Sequence, residues 1–178
     1  MKRYIVLSGG GEDRVGIVNK IAGGIASVGG NIELQRAAKL AGEFALIMLV
    51  SVDEDQIEID AAVERLTQLS TEDFPVAVRK AFDIDEESLE NALEVELTAE
   101  GADQPGIIDS VTLFLVQQNI SITSMDYDVA NAPMTGTGLL QMRARLSVPG
   151  NVDLSQIEND LSDLEWDLGI RISIRRPS

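Results

Sequence analysis

Apolar positions along this chain switch between two spacings, and each switch marks a change of element. An apolar stretch near Arg3–Ser8 predicts a strand, and Ile17, Ile21, Ile25 and Val28 on one face predict a helix over Val15–Val28. Strands follow near Ile32–Lys39 and Glu43–Val52. A second helix is expected near Gln56–Leu69, striped by Ile59, Val63 and Leu66, with Asp55 and Glu58 as a capping box. A strand near Val76–Phe82 completes the order βαββαβ.

The remainder repeats the order. A strand is expected near Leu93–Ala99, a helix opened by Pro105 as its first residue, and strands near Ile120–Ala130 and Gly138–Val148. The second helix, Leu154–Leu168, carries Leu154, Ile157, Leu161, Leu164 and Leu168 on one face, capped by Asp153 with Gln156 as its reciprocal partner. Ile170–Arg175 closes the unit. The repeat is also written in the residues: Gly11-Glu-Asp-Arg-Val-Gly-Ile-Val18 aligns with Gly101-Ala-Asp-Gln-Pro-Gly-Ile-Ile108 at an offset of 90. Downstream, Asn31-Ile32 matches Asn119-Ile120 if the offset slips by two at a longer turn, Val28-Gly-Gly30. The fold class is therefore α+β: two ferredoxin-like βαββαβ domains in tandem, each an antiparallel sheet with helices on one face. The domains span 1–82 and 92–178, joined by an acidic linker, 83–91, that reads DIDEESLEN.

The outward-facing positions differ between the domains. In the second, Glu94 and Glu96 would lie between the arginine rows of Arg143 and Arg145 and of Arg171 and Arg175. In the first, Tyr4, Val6, Ala45, Ile47, Leu49, Val76 and Val78 would expose apolar surface, so a second domain or a second chain should cover it.

Composition narrows the chemistry. The 178 residues contain no cysteine and no histidine, which removes thiolate nucleophiles, the commonest general base and the usual zinc ligands. No metal or cofactor is called for, and an enzyme is disfavoured. A carboxylate enzyme built on Glu12 with Asp13 would rest on adjacent residues of one turn, which seldom converge on a substrate. The net charge of −16 argues against direct nucleic-acid binding. It is lopsided: residues 1–82 hold 9 basic and 12 acidic residues, the remainder 5 and 18. The longest apolar run, Phe44–Val50, cannot cross a bilayer, and no signal-peptide core follows Met1, so no membrane is involved and a cytoplasmic location is expected.

The stretch SGGGEDRVGIV, residues 8–18, asks what approaches its glycines. It lacks the Lys-Ser/Thr of a phosphate-binding loop, and Arg14 stands where the dinucleotide fingerprint needs its third glycine. Two readings stay open. A flexible turn could offer backbone N–H groups to an anion such as a carboxylate, or Asp13 could cap the helix after a tight turn. Asn131–Thr137, NAPMTGT, is either a lid or an ordinary loop.

Gly11, Asp13, Arg14, Gly16, Ile17, Val18 and Asn19, with Asn31-Ile-Glu33 and Gly42–Leu49, resemble the ACT-domain family. Within it, the tandem arrangement is similar to the repressor group of the glycine cleavage system. The resemblance implies an effector, an amino acid such as glycine, bound at the turn after the first strand and at the start of the second strand. The positions carried over are Gly11, Glu12, Asp13, Arg14, Val15, Gly16 and Ile17, with Asn31 opposite. In the second repeat they are Ala102, Asp103, Gln104, Pro105, Gly106, Ile107 and Asn119. Asn31 and Asn119 could equally be turn residues. The resemblance further implies a regulatory homo-oligomer acting through a protein partner, either a transcription factor or a metabolic enzyme that it serves as a free-standing regulatory subunit.

Overall fold

The computed structural model describes residues 1–82, 92–131 and 138–176. The expected acidic linker, 83–91, and residues 132–137 of the NAPMTGT connection lie outside the described residues. The chain divides into two compact units, Met1–Ile84 and Asp85–Ser178.

The first unit runs β1 (Lys2–Glu12), α1 (Ile17–Ser27), β2 (Asn31–Leu40), β3 (Glu43–Asp53), α2 (Ile59–Thr67) and β4 (Val76–Lys80). Its antiparallel sheet has the order β2-β3-β1-β4. One face is packed: Ile5 and Leu7 of β1 and Met48 and Val50 of β3 meet Ile21 and Ile25 of α1 and Ala62 and Leu66 of α2. Burying each large apolar side chain is worth about 1.5–3 kcal/mol, so this face holds the unit together.

The second unit repeats the plan as β5 (Ala92–Ala102), α3 (Ile107–Gln117), β6 (Ser121–Asn131), β7 (Gly138–Pro149), α4 (Leu154–Leu168) and β8 (Ile170–Arg175), in the sheet order β6-β7-β5-β8. Val95, Leu97, Leu140 and Leu146 pack under Val111 and Leu115 of α3 and Ile157 and Leu161 of α4. Both units are ferredoxin-like, as the periodicity indicates.

Several local expectations change. The glycine run is not a turn: Gly9, Gly10 and Gly11 belong to β1, which pairs with β3 as far as Glu12. A Cβ on Gly11 would stand 2.1 Å from the carbonyl oxygen of Asp73, so the chain before β4 crosses where only glycine leaves room. Asp13 does not cap α1. The helix opens at Gly16, whose φ of 97° is left-handed, and no side chain caps it. Gly106, at φ 93°, opens α3 in the same way, so Pro105 lies before the helix. The Asp55–Glu58 capping box does not form, because Asp53 and Asp55 both accept from the N-terminal ammonium, at 3.0 and 3.4 Å, and α2 starts later. Asp153 does cap α4, accepting from the N–H of Ser155 at 2.9 Å, but Gln156 turns to Asp160 instead of back to the cap.

The repeat keeps its offset of 90 further than the sequence suggests. Gly30 donates to Ile25 and Ile120 donates to Leu115, so Asn119, in the left-handed region at φ 56°, occupies the place of Gly29. Both units then bulge at equivalent positions, Ile32/Leu34 and Ile122/Ser124. Val76 and Val78 pair with Gly9 and Leu7 and so belong to the core, not the open face. Tyr4, Val6, Ala45, Ile47 and Leu49 do face away from the helices, joined by Leu34. In the second sheet Glu96 sits between Arg145 and Arg175 and binds Arg175 at 2.5 Å, which lowers its pKa. Glu94 faces Ser147 on β7 and has no partner on β8.

Candidate functional site

In each unit the first strand ends beside the third, and a four-residue turn, Asp13–Gly16 or Asp103–Gly106, carries the chain onto the helices. The turns are anchored alike. Asp13 N–H donates to the carbonyl of Gly42 and Asp103 N–H to that of Gly138, each at 2.9 Å. A left-handed glycine with no side-chain cap then leaves N–H groups of the first helical turns available at the positive ends of the helices, Val18 and Asn19 in α1, where Ile17 already donates to Arg14, and their counterparts Ile108 and Asp109 in α3.

Around the first turn lies a cavity of about 320 Å³, within the range of small-molecule sites. Its walls come from three segments: Glu12, Arg14, Val15 and Gly16 of the turn, Ile17, Lys20 and Ile21 of α1, and Leu69, Thr71, Asp73 and Phe74 of the stretch before β4. Arg14 is the strut. Its Nη2 and Nε donate to Glu12 Oε2 at 2.6 and 3.1 Å and its Nη1 donates to Asp73 Oδ2 at 2.7 Å, so the guanidinium clips the turn to a segment 59 residues away. Both carboxylates hold its pKa above the usual value, Glu12 first. Phe74 is buried and packs beside Phe44 with ring centroids 6.4 Å apart. Asp13 pairs with Lys39 at the end of β2.

The second turn borders a cavity of about 680 Å³ lined by Asp103, Gln104, Pro105, Gly106, Ile107, Ile108, Asp109, Thr112 and Tyr127. Its strut is neutral: Gln104, at the place of Arg14, donates to the carbonyl of Leu168 at 3.2 Å. Asp103 accepts from the Tyr127 hydroxyl at 2.6 Å, a bond that raises the tyrosine pKa. The place of Lys39 is taken by Val129, since each pairs with the third-strand residue beside Gly11 or Gly101.

The turn residues Gly11 to Ile17 and Ala102 to Ile107 thus sit together at matching ends of the two sheets. Asn31 does not join them. It pairs with Ser51 at the Tyr4 end of the first sheet, eight β1 residues from Glu12, or roughly 27 Å along the strand. Two residues on, the Glu33 carboxylate accepts from Lys2 and Ser51, and its pKa is lowered by both and by Asn31. Asn119 lies at the corresponding far end, as the residue that ends the α3 turn. Lys20, Lys39, Asp73 and Tyr127 were not singled out from sequence. Lys20 alone left a legible trace, one helical turn beyond Gly16.

Residues 3–72 match the ACT domain family. Over 173 residues the chain is 25% identical to the glycine cleavage system transcriptional repressor of Escherichia coli (strain K12), covering 97% of this chain and 90% of that protein. The protein of the same name from Shigella flexneri matches to the same extent. The crystal structure of an unknown protein from Galdieria sulphuraria superposes with a TM-score of 0.85 at 28% identity over 100% of both chains.

Proposed function

We propose that the chain, whose residues 3–72 match the ACT domain family and whose second unit repeats the fold of the first, is a non-enzymatic regulatory protein that binds an amino acid and acts through a protein partner. One observation carries the reading: the first cavity brings two cations and two carboxylates to an uncapped helix start, an arrangement suited to a zwitterion. The α-carboxylate goes to the N–H groups at the head of α1, and the ammonium to carboxylate oxygens on the opposite wall. Likeness to proteins named as glycine cleavage repressors makes glycine the first effector to try and transcriptional control of amino-acid metabolism the output.

Absence of catalysis belongs to the same reading. The sequence has no histidine or cysteine, which removes the commonest general base and the thiolate nucleophile. No helix among the described residues is long and apolar enough to cross a membrane. The acidic charge directs the output toward a protein and not toward DNA. Self-association is included: Tyr4, Leu34 and Ile47, exposed on the open face of the first sheet, are the surface that a second copy would cover.

Isothermal titration calorimetry against the twenty amino acids, beginning with glycine and serine, tests the effector. Saturable heat lost in Asp13→Ala supports the reading, whereas no heat and no thermal stabilisation with any of them overturns it. Affinity capture from the source cell then identifies the output as a transcription factor or a metabolic enzyme.

A further inference from the structure

We propose that the two turns are not equivalent, that only the first takes the amino acid, and that Lys20 is the side chain that selects its carboxylate. This rests on the effector reading above and specifies where the effector sits.

The two units share the N–H geometry and differ in charge. The first cavity is balanced, with Arg14 and Lys20 against Glu12 and Asp73. Arg14 is committed to its two carboxylates, but Lys20 makes no ion pair among the described residues. It stands on the first turn of α1, with its N–H on the carbonyl of Gly16, and supplies a free ammonium where the helix field already attracts an anion. Arg14 bonds only Oε2 of Glu12 and Oδ2 of Asp73, so each carboxylate keeps its other oxygen for the ammonium of a ligand. Opposite ends of a zwitterion therefore find opposite charges within one cavity.

The second cavity has no cation among its lining residues. Asp103 and Asp109 give it two negative charges, Ser110 replaces Lys20 at the offset of 90, and Val129 replaces the lysine that neutralises the first-turn aspartate. Tyr127 donates a hydrogen bond to Asp103, which keeps its charge. Asp109 lies in the first turn of α3, so the positive end of that helix is already answered by the protein's own carboxylate, whereas the first turn of α1 contains no acid. A carboxylate ligand entering the second turn would meet like charge and no counter-ion.

Calorimetry of the full chain with glycine, scored for stoichiometry, tests this. One site per chain is expected. Lys20→Ser should weaken it at least about tenfold, the cost of a lost charge-assisted contact, while Asp109→Ala and Gln104→Ala leave it unchanged. Lys20 is exposed, so its replacement leaves the fold intact, which circular dichroism verifies. In the amide spectrum of the ¹⁵N-labelled chain, glycine should move Val18 and Asn19 and leave Ile108 and Asp109 in place. Two sites per chain, or binding lost through the second-turn variants, would overturn the asymmetry while sparing the effector reading. No saturable binding of glycine or of any other amino acid would overturn both.

Discussion

Lys39, at the end of β2, closes an ion pair with Asp13, at the start of the turn that leads into α1, across 26 residues of sequence. Among the described residues of the second unit there is no such pair: Asp103 is held by a neutral tyrosine from two residues earlier on the matching strand. The first turn is therefore restrained by charge and the second by neutral donors, Tyr127 and Gln104.

Removing the first restraint should loosen the turn without unfolding the unit. Lys39→Met is expected to speed amide hydrogen exchange at Asp13–Gly16 while the core amides of Ile5 and Val50 keep their protection. Equal loss of protection in the core would mean that the pair supports the whole sheet.

Tyr127 gives the second turn an optical signature. Its hydroxyl donates to Asp103, which holds its pKa above the ordinary 10. A group whose folded pKa is raised contributes stability that is complete below its unfolded value and is lost as pH climbs through the folded one. With Tyr4→Phe removing the other tyrosine, phenolate absorbance should rise with a midpoint above 10, and Asp103→Asn should bring it down. A midpoint insensitive to Asp103→Asn would break the assignment.

Glu33 sets an acid limit on the first unit. Lys2, Ser51 and Asn31 lower its pKa from 4.5 to about 2. Here the sign reverses: the contribution is present above 4.5 and is lost as pH falls through about 2. Glu33→Gln should reduce the melting temperature of the first unit at neutral pH, and the difference from the parent should vanish near pH 2. A difference independent of pH would show that charge is not its source.

Two neighbouring glycines should behave differently. A Cβ on Gly10 meets nothing closer than 3.7 Å, whereas one on Gly11 lies 2.1 Å from a backbone oxygen. Gly11→Ala should cost about 1–3 kcal/mol in chemical denaturation, as overpacking does, and Gly10→Ala far less. It should also displace Asp73 from Arg14 and so weaken effector binding.

Self-association should depend on the open face of the first sheet. Ile47, 49% exposed there, is the position to charge. Ile47→Lys should give the monomer mass by light scattering while leaving the far-ultraviolet dichroism unchanged. A monomeric parent would remove this face from consideration.

The layout of both units could be read from the chain because it follows from local periodicity: Leu154–Leu168 was bounded correctly from its apolar stripe and its Asp153 cap. The Gly-x-Asp-x-x-Gly repeat likewise located both turns. What escaped was set by partners distant in sequence. Asp13 looked like a helix cap because nothing nearby announces Lys39, and the glycine run looked like a turn because the chain that crosses it, at Asp73, lies some sixty residues on. The family resemblance sets Asn31 opposite the turn, but the strand register puts it at the other end of the sheet. Asn119 matched it by composition and not by position, since a left-handed residue was needed there to end a helical turn.

The connection between the second helix and the last strand differs most between the units: eight residues, Gln68–Pro75, in the first, and Gly169 alone in the second. Loop closure grows only logarithmically with length, so those additional residues add little entropic penalty to folding. They nevertheless supply an entire wall of the first cavity, including the Arg14 anchor. The stretch from third to last strand is nearly equal in the two copies, 22 residues against 20, so the first copy builds its wall from chain that the second winds into a longer helix, with both sheets untouched. Transplanting that octapeptide between the copies becomes a way to move ligand competence from one half of the molecule to the other.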